Sequence, residues 1–103
     1  MNPKPNATYD ALIEKAHDAM RMRDFQRAEQ RAREALGYDP ERAAAYNVLA
    51  ILRHYRGLHS EAMNLLRAGL AVDPTYEPAQ QNLIRFGSFP TRGTAVLGDE
   101  DEQ

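Results

Sequence analysis

Residues 41–74 read ERAAAYNVLAILRHYRGLHSEAMNLLRAGLAVDP, and they repeat the pattern of residues 7–40, ATYDALIEKAHDAMRMRDFQRAEQRAREALGYDP, at an offset of 34 residues. Alanine lets two helices approach closely, and proline cannot continue a helix. The contact residues and the stop signal recur together, so the pattern predicts a helical unit that occurs twice. The identical pairs are Ala11/Ala45, Ala16/Ala50, Ala28/Ala62, Arg33/Arg67, Leu36/Leu70, Asp39/Asp73 and Pro40/Pro74.

The spacing of apolar residues divides each unit into two helices. Apolar side chains recur at intervals of three and four, which is the period of one helix face. Between the two helices, Asp24 is predicted to be an N-cap and Gly57 a C-terminal stop. Pro78 fits the first turn of a further helix, which Gly87 closes. We predict five helices, near residues 8–22, 25–37, 42–56, 59–71 and 78–86.

The period, the helix pairs and the Ala/Gly/Pro pattern resemble the tetratricopeptide repeat family over about residues 9–86. Lys15 stands where leucine is usual in that family, Ala19 and Arg53 where tyrosine is usual, and Ala32 where an aromatic residue is usual. These departures concern the fine packing and leave the fold prediction unchanged. The positions that carry the resemblance are Leu12, Ala16, Phe25, Ala28, Ala35, Leu36 and Pro40, then Tyr46, Leu49, Ala50, Gly57, Ala62, Gly69, Leu70 and Pro74.

The resemblance implies an all-α fold, a right-handed α-solenoid of antiparallel helix pairs with five helices. An ordinary helical bundle with a coincidental repeat is the alternative. The helix-stop signals recur together with the apolar pattern, and this favours the solenoid. The implied organisation is an N-terminal extension at 1–8, a repeat domain at 9–86 and a flexible acidic tail at 87–103. The domain consists of repeats 9–42 and 43–76 and a capping helix at 77–86.

The composition is that of one small globular domain. The chain has 103 residues, of which 43% are hydrophobic and 27% charged. No apolar run approaches the ~20 residues that cross a bilayer, so membrane insertion is not expected. The first residues lack the apolar core of a secretory signal, and there is no cysteine for a disulfide framework. A cytoplasmic location is the simplest expectation.

The net charge of −2 conceals an acidic run, because residues 99–102 supply four of the 15 acidic residues. Residues 1–98 hold 11 acidic and 13 basic residues, which is too weakly basic to indicate nucleic-acid binding. A stretch of five arginines has no interleaved aromatic residues, and the pairs Glu29–Arg33 and Arg31–Glu34 favour a solvated helix surface there. The arginines are Arg21, Arg23, Arg27, Arg31 and Arg33.

The resemblance also implies that the first helix of each repeat lines a concave surface. Helical geometry then selects the side that faces away from the second helix. An apolar floor with a few hydrogen-bonding groups suits an extended peptide or a short helix. For Ile13 and Ile51, packing against neighbouring helices is an equally strong alternative. The predicted partner-binding residues are Ile13, His17, Met20, Asn47, Ile51, His54, Tyr55, Gln81 and Arg85.

We therefore expect a protein–protein interaction module, an adaptor or small chaperone-like subunit, that holds a protein or peptide partner in the concave groove. The alternative is a structural subunit of a homo- or hetero-oligomeric assembly that uses exposed repeat ends, because about three repeats are usually needed to bury a continuous core. Chaperone-binding members of the family clamp a terminal carboxylate, and that clamp is missing here. Its positions hold Ile13, His17, Val48, Pro78 and Asn82.

No catalytic, cofactor or metal site is predicted. His54 and His59 lie five residues apart across a turn, with no cysteine or carboxylate pattern to complete a ligand set. There is no Gly-rich phosphate loop, and Ser60 and Ser88 lack a nucleophile motif, so an enzyme is not expected. Histidine titrates near neutrality, so His17 and His54 could make the groove sensitive to pH.

The C-terminal tail joins a short apolar patch at residues 93–98 to the acidic run. It is too polar and glycine-rich to pack on its own. Val96 and Leu97 could dock on a partner or on this protein's own groove, and a frayed acidic end is the alternative. As a random coil of about 16 residues the tail spans roughly 20–25 Å, enough to cross so small a scaffold.

Overall fold

A computed structural model describes residues 5–87 of the chain, with side chains from residue 8 onward. All of the regular structure in this range is α-helical, which confirms the predicted all-α class. The proposed tail, with Val96 and Leu97, lies outside the described residues, as do residues 1–4. The helices are α1 (Pro5–Arg21), α2 (Phe25–Tyr38), α3 (Ala44–Tyr55), α4 (His59–Val72) and α5 (Glu77–Gly87).

The helix ends agree with the sequence signals except at the start of α1. The carboxylate of Asp24 accepts the N–H of Arg27 at 3.2 Å, so the predicted N-cap of α2 is confirmed. Gly57 follows α3 with a φ of 78°, the left-handed conformation of a helix stop. However, α1 begins at Pro5, three residues before its predicted start. The predicted extension at 1–8 therefore overlaps the first helix.

Side-chain contacts show the directions of the helices. The Tyr9 hydroxyl meets the backbone of Ala45, so α1 and α3 begin side by side. The Phe25 ring lies 5.4 Å from the Tyr55 ring, which places the start of α2 against the end of α3. The helices therefore alternate in direction, and α1 and α3, the first helices of the two repeats, run parallel.

Small residues allow the two helices of each repeat to approach closely. The repeated alanines are fully buried: Ala16 and Ala28 in the first repeat, Ala50 and Ala62 in the second. In α4 a Cβ added to Gly69 would lie 3.1 Å from the Cβ of Tyr46, so a larger residue would push α4 away from α3. The repeated small residues thus set the distance between paired helices, as the sequence predicts.

Tyr9 forms the joint between the two repeats. It is fully buried, and its hydroxyl accepts the N–H of Ala45 at 3.0 Å while donating to the carbonyl of Arg42 at 3.4 Å. The N-cap position of α3, Ala43, has no side-chain cap of its own. Tyr9 therefore satisfies an N–H in the first turn of α3 that would otherwise lack a helical partner. Burial raises the pKa of this phenol.

Arg53 replaces the family's tyrosine with an ion pair between helices. Its guanidinium donates to both carboxylate oxygens of Glu29 in α2, at 3.0 and 3.2 Å, and lies 3.4 Å from the carboxylate of Glu61 in α4. The hydrogen bond from Arg53 lowers the pKa of the Glu29 carboxyl. Arg53 therefore connects α2, α3 and α4, as a buried aromatic ring would do by packing.

The first repeat has a hollow at the equivalent place. A surface hollow of about 450 Å³ lies between α1 and α2, and its lining includes Lys15, Ala19 and Met22. Lys15 and Ala19 stand where the family has leucine and tyrosine. The second repeat fills the corresponding space with Leu49, which is 5% exposed, and with Arg53. Two of the departures recognised in the sequence, Lys15 and Ala19, therefore border an open hollow between α1 and α2.

Candidate functional site: the groove face of the first helices

The side of α1, α3 and α5 that faces away from α2 and α4 is called the groove face here. Two contacts between α3 and α5 give its geometry. Asn82 Nδ2 donates to Asn47 Oδ1 at 2.9 Å, and the His54 ring stacks on the Phe86 ring at 3.9 Å with 7° between their planes. Both pairs follow the same order along the chain, so α3 and α5 run parallel. All three first helices therefore end at the same edge of the molecule.

Most of the predicted groove residues lie below the surface. Ile13, His17 and Met20 in α1 and Asn47 and Ile51 in α3 are buried, and Asn47 and Ile51 expose none of their surface. These five side chains offer a partner no direct contact in this structure.

The two isoleucines among the predicted binding residues belong to different core clusters. Ile13 belongs to a cluster with Tyr9, Ala35 and Ala45, so it packs between α1 and its neighbours. Ile51 belongs to the main core cluster, together with Met20. These contacts agree with the alternative in which both isoleucines pack against neighbouring helices.

The remaining four residues form an accessible rim. Tyr55 is 48% exposed at the end of α3, where its ring also contacts Phe25 of α2. Gln81 of α5 is exposed, and His54 and Arg85 are half-buried. The rim therefore consists of one aromatic, one amide and two basic side chains, of which the His54 and Tyr55 rings lie 6.1 Å apart.

Polar groups are unusually concentrated on this face. Among the described side chains, the buried polar residues are His17, Asn47 and Asn82, and each lies at a groove position of α1, α3 or α5. An asparagine amide offers both a donor and an acceptor, which is what the N–H and C=O groups of an extended peptide require. The chemistry of the face is therefore that of a mixed polar and apolar surface, unlike the alanine-rich contacts on the other side of α1.

The surroundings of His54 favour its neutral form. Desolvation by burial lowers the pKa of this imidazole, and the nearby charge of His59 lowers it further. The stacking on Phe86 explains part of that desolvation, because one side of the ring is covered. Because its pKa is lowered, His54 keeps an uncharged ring at the rim at more acidic pH than an ordinary histidine does.

Charge is divided between the two edges of the array. Where the first helices begin, five acidic residues accompany a single arginine, Arg42. Where they end, four arginines outnumber Asp18, which pairs with Arg21 at 2.7 Å, and Asp24. The arginines are Arg21 and Arg23 at the end of α1, Arg56 after α3 and Arg85 near the end of α5. We call these the acidic edge and the arginine edge. The acidic residues are Asp10, Asp39, Glu41, Asp73 and Glu77.

Arg23 has an unusual backbone conformation at the arginine edge. Its φ is 61°, which makes it the non-glycine residue with positive φ in the described part of the chain. The equivalent residue of the second repeat is Gly57, for which this conformation has no steric cost. The guanidinium of Arg23 lies 5.2 Å from the centre of the Phe25 ring. The first repeat thus has an arginine at a position where glycine would adopt the same backbone conformation without strain.

Neither a grouped metal-ligand set nor a membrane-spanning helix occurs in the described region. Between residues 5 and 87, no three His, Asp or Glu side chains are grouped as a metal site. None of the helices in that region is both long and apolar enough to span a membrane.

Comparison with known families supports the fold. A family model described as a tetratricopeptide repeat matches residues 19–85, which is more than half of the chain. The chain therefore belongs to the tetratricopeptide repeat family, as its sequence pattern predicts. Such repeats are generally protein–protein interaction modules and are typically non-catalytic. Comparisons with curated proteins and with solved structures found no match.

Three residues of the site region were missed from the sequence. The sequence analysis treated Asn82 only as a position where the carboxylate clamp is missing. In the structure Asn82, one turn after Pro78 on α5, pairs with Asn47 of α3. Phe86 carried a signal, since it is an aromatic residue three positions after Leu83. Arg23 could have been found by aligning it with Gly57, which shows the need for a positive φ.

Proposed function

We propose that this protein is a cytoplasmic interaction module, an adaptor or small chaperone-like subunit, that binds a peptide or short helix of a partner protein on the groove face. The observation that carries the proposal is the concentration of His17, Asn47 and Asn82 beneath an accessible rim. The rim supplies an aromatic contact through Tyr55, and the amide groups beneath it can hydrogen-bond a peptide backbone only once the surface above them opens.

The size of the face limits the affinity. Two repeats and one further helix provide a contact at or below the standard interface size, so a single peptide should bind with a micromolar dissociation constant, roughly −8 kcal/mol. The buried residues would contact a ligand only when the surface above them opens. Initial contact therefore depends on the rim.

A selection of random peptides displayed on phage, carried out against the full chain, tests the proposal. The selected peptides are synthesised and titrated by fluorescence anisotropy. Tyr55→Ala should weaken binding about tenfold or more, because an aromatic residue at a binding site commonly contributes over 1 kcal/mol. Arg31→Ala, on the outer surface of α2, is the matched control and should leave the dissociation constant within about twofold. Equal losses from both variants, or binding unaffected by Tyr55→Ala, would contradict the proposed face.

Ile51→Asp is a poor test, although Ile51 is one of the predicted binding residues. Its side chain is fully buried in the main core cluster, so a carboxylate there would unfold the domain. Gln81→Ala and Arg85→Ala are better second variants, because they alter the rim and remove no core residue.

A structural subunit that assembles through its repeat ends is the second candidate. The observation in its favour is Ile84, which is 69% exposed on α5, the last helix of the described array. Further repeats would normally cover such a surface. Analytical ultracentrifugation at micromolar concentration separates the two candidates: self-association that Ile84→Glu abolishes supports assembly, and a stable monomer supports the groove.

A further inference from the structure

We propose that the hollow between the start of α2 and the end of α3 binds an aromatic side chain from an acidic segment of a partner protein, whose carboxylates contact Arg23 and Arg56. The inference rests on the proposed function and deepens it, because Tyr55 belongs to the rim of the groove face and also lines this hollow. It names the chemistry of the partner, an aromatic residue flanked by aspartate or glutamate.

The hollow is small and has aromatic walls. Its volume is about 260 Å³, which is below the roughly 300 Å³ at which small-molecule pockets begin. Phe25 and Tyr55 line it with their ring centres 5.4 Å apart and their planes at 51°, and Leu52, which is 3% exposed, lines it from the core. Aromatic rings favour tilted neighbours at such distances, so a third ring suits the space.

Two arginines beside these walls carry charge that the chain leaves unneutralised. Arg56 follows Tyr55 and lines the hollow, and the guanidinium of Arg23 lies 5.2 Å from the centre of the Phe25 ring. Most arginines of the described region pair with a carboxylate, but within residues 5–87 neither of these two does. Unpaired guanidinium groups beside an apolar hollow favour an occupant with carboxylates next to its apolar group.

The carboxylate of the hollow itself is already bound. Glu29 lines the space, and Arg53 donates to both of its oxygens, while Arg33 donates to Oε2 at 2.7 Å. These hydrogen bonds, chiefly that from Arg53, lower the pKa of the Glu29 carboxyl. A lysine or arginine of a partner therefore meets no free carboxylate among the lining residues, which argues against a basic occupant.

The backbone of Arg23 gives independent support. A positive φ is strained in a residue other than glycine, and such strain is often kept at functional sites. Gly57 meets the same need in the second repeat without strain, so the turn does not require an arginine. What arginine adds at this position is a positive charge next to the Phe25 ring.

A peptide suits the surface better than a nucleic-acid strand does. Nucleic acids bind through many phosphate contacts, and this hollow has two unpaired arginines. The acidic edge, with five acidic residues and one arginine, would repel a strand that extended along the helices. A short acidic peptide needs only the arginine edge.

Four synthetic peptides, titrated by NMR into the isotope-labelled full chain, test the charge and the anchor separately. Acetyl-Asp-Glu-Phe-Asp-Glu-amide should shift the amide signals of Leu52 and Tyr55 and leave that of Ala71, exposed on α4, unchanged. The neutral acetyl-Asn-Gln-Phe-Asn-Gln-amide should bind roughly tenfold more weakly, since each exposed charge contact contributes up to about fivefold. Alanine in place of the phenylalanine should also cost roughly tenfold, and acetyl-Lys-Arg-Phe-Lys-Arg-amide should bind most weakly.

Variants of the protein test the two arginines. Arg23→Gln and Arg56→Gln should each weaken binding of the acidic peptide severalfold and leave that of the neutral peptide unchanged. Arg67→Gln is the matched control, because Arg67 is exposed on α4 and also has no carboxylate partner within residues 5–87. Added salt should weaken binding to the parent more than to the double variant. Thermal unfolding verifies that all variants retain the fold.

Several results would overturn the proposal. They are the absence of a shift at Leu52 with the acidic peptide at millimolar concentration, equal affinity for the neutral peptide, and a double variant that binds like Arg67→Gln. A fluorescein-labelled decauridine that binds the parent more tightly than the acidic peptide, and loses affinity in the double variant, would assign the hollow to nucleic acid instead.

The two proposals can fail separately. If phage-selected peptides bind in a Tyr55-dependent way but are indifferent to Arg23→Gln and Arg56→Gln, only the acidic chemistry of the hollow is wrong. If the acidic peptide binds the hollow but no bound peptide is affected by Gln81→Ala, the groove-face function is wrong and the hollow remains a site of its own.

Discussion

The two repeats share a pattern and a fold but fill their interiors differently. The second repeat closes its helix pair with Leu49, Arg53 and Leu66, whereas the first has Lys15, Ala19 and Ala32 at the equivalent positions and a hollow beside them. The turns also differ: the positive-φ position holds Gly57 in the second repeat and Arg23, a strained residue there, in the first. The difference teaches that the repeat pattern fixes the helix arrangement through small residues, while larger residues at the variable positions decide how tightly each repeat is packed.

The largest effect should come from making the second repeat resemble the first. Leu66→Ala places alanine where the first repeat has Ala32, and Leu66 is fully buried in the main core cluster. The cavity should lower the free energy of unfolding by about 2–5 kcal/mol. Urea denaturation followed by circular dichroism measures it. Met22→Ala, at a side chain 80% exposed, should change stability by less than about 0.5 kcal/mol. A similar loss from both changes would mean that the second repeat is not the better-packed one.

The joint between the repeats should give the next largest effect. Tyr9→Phe removes the acceptor for the N–H of Ala45 and leaves that group buried, which should cost about 1–3 kcal/mol. Hydrogen exchange at the amide of Ala45 should accelerate with it. Tyr38→Phe is the control, because Tyr38 is 61% exposed. An unchanged exchange rate at Ala45 in the Tyr9 variant would show that another group protects the amide.

The third prediction concerns the turns, where Arg23 and Gly57 occupy equivalent positions with a positive φ. Gly57→Ala meets no neighbouring atom within 4 Å, so its expected cost of about 1–2 kcal/mol comes from backbone strain alone. Arg23→Gly should raise stability by less than about 1 kcal/mol, since relief of strain is offset by the lost contact with Phe25. Thermal unfolding of both variants measures the contrast. A stabilising Gly57→Ala would contradict the assigned φ.

The ion pair of the second repeat should give the smallest effect, and a pH-dependent one. Arg53→Gln should cost on the order of 1 kcal/mol at neutral pH. The hydrogen bond from Arg53 lowers the pKa of Glu29, so the stability from this pair is present above the unfolded carboxyl's pKa and is lost as pH falls through the lowered one.

The parent should therefore lose more stability than Arg53→Gln on acidification, and their melting temperatures should converge. Scanning calorimetry from neutral to acidic pH checks the convergence. A constant gap between the two proteins across that range would show that Arg53 acts by packing and that its ionic contact with Glu29 contributes little.

The helices could be predicted from the sequence because their signals are local. Asp24, Gly57 and Pro78 act within a turn of their own position, and the alanine period reports the close helix contacts. The start of α1 was placed three residues too late, although Pro5 suits the first turn of a helix. The contact of Tyr9 with Ala45, by contrast, joins residues 36 positions apart. A single sequence gives no sign of that pairing.

The candidate site was predicted less completely than the fold. Helical periodicity placed Tyr55, Gln81 and Arg85 on a common side, which the structure finds exposed or half-buried. The same periodicity cannot tell whether a side chain such as Ile51 meets solvent or the core, because burial depends on what packs over it. Arg53 illustrates the same limit: its position shows a departure from the family, and only the folded chain shows its contact with Glu29.

The separation of acidic and arginine edges has a consequence for encounters in solution. Opposite charge at the two ends of parallel helices gives the molecule a dipole moment. This dipole opposes that of α1, α3 and α5 themselves, because the positive N-terminal ends of these helices lie at the acidic edge. A negatively charged molecule approaching at random would rotate the protein until the arginine-bearing end faced it. Added salt would then slow the arrival of such a molecule while leaving its departure nearly unchanged.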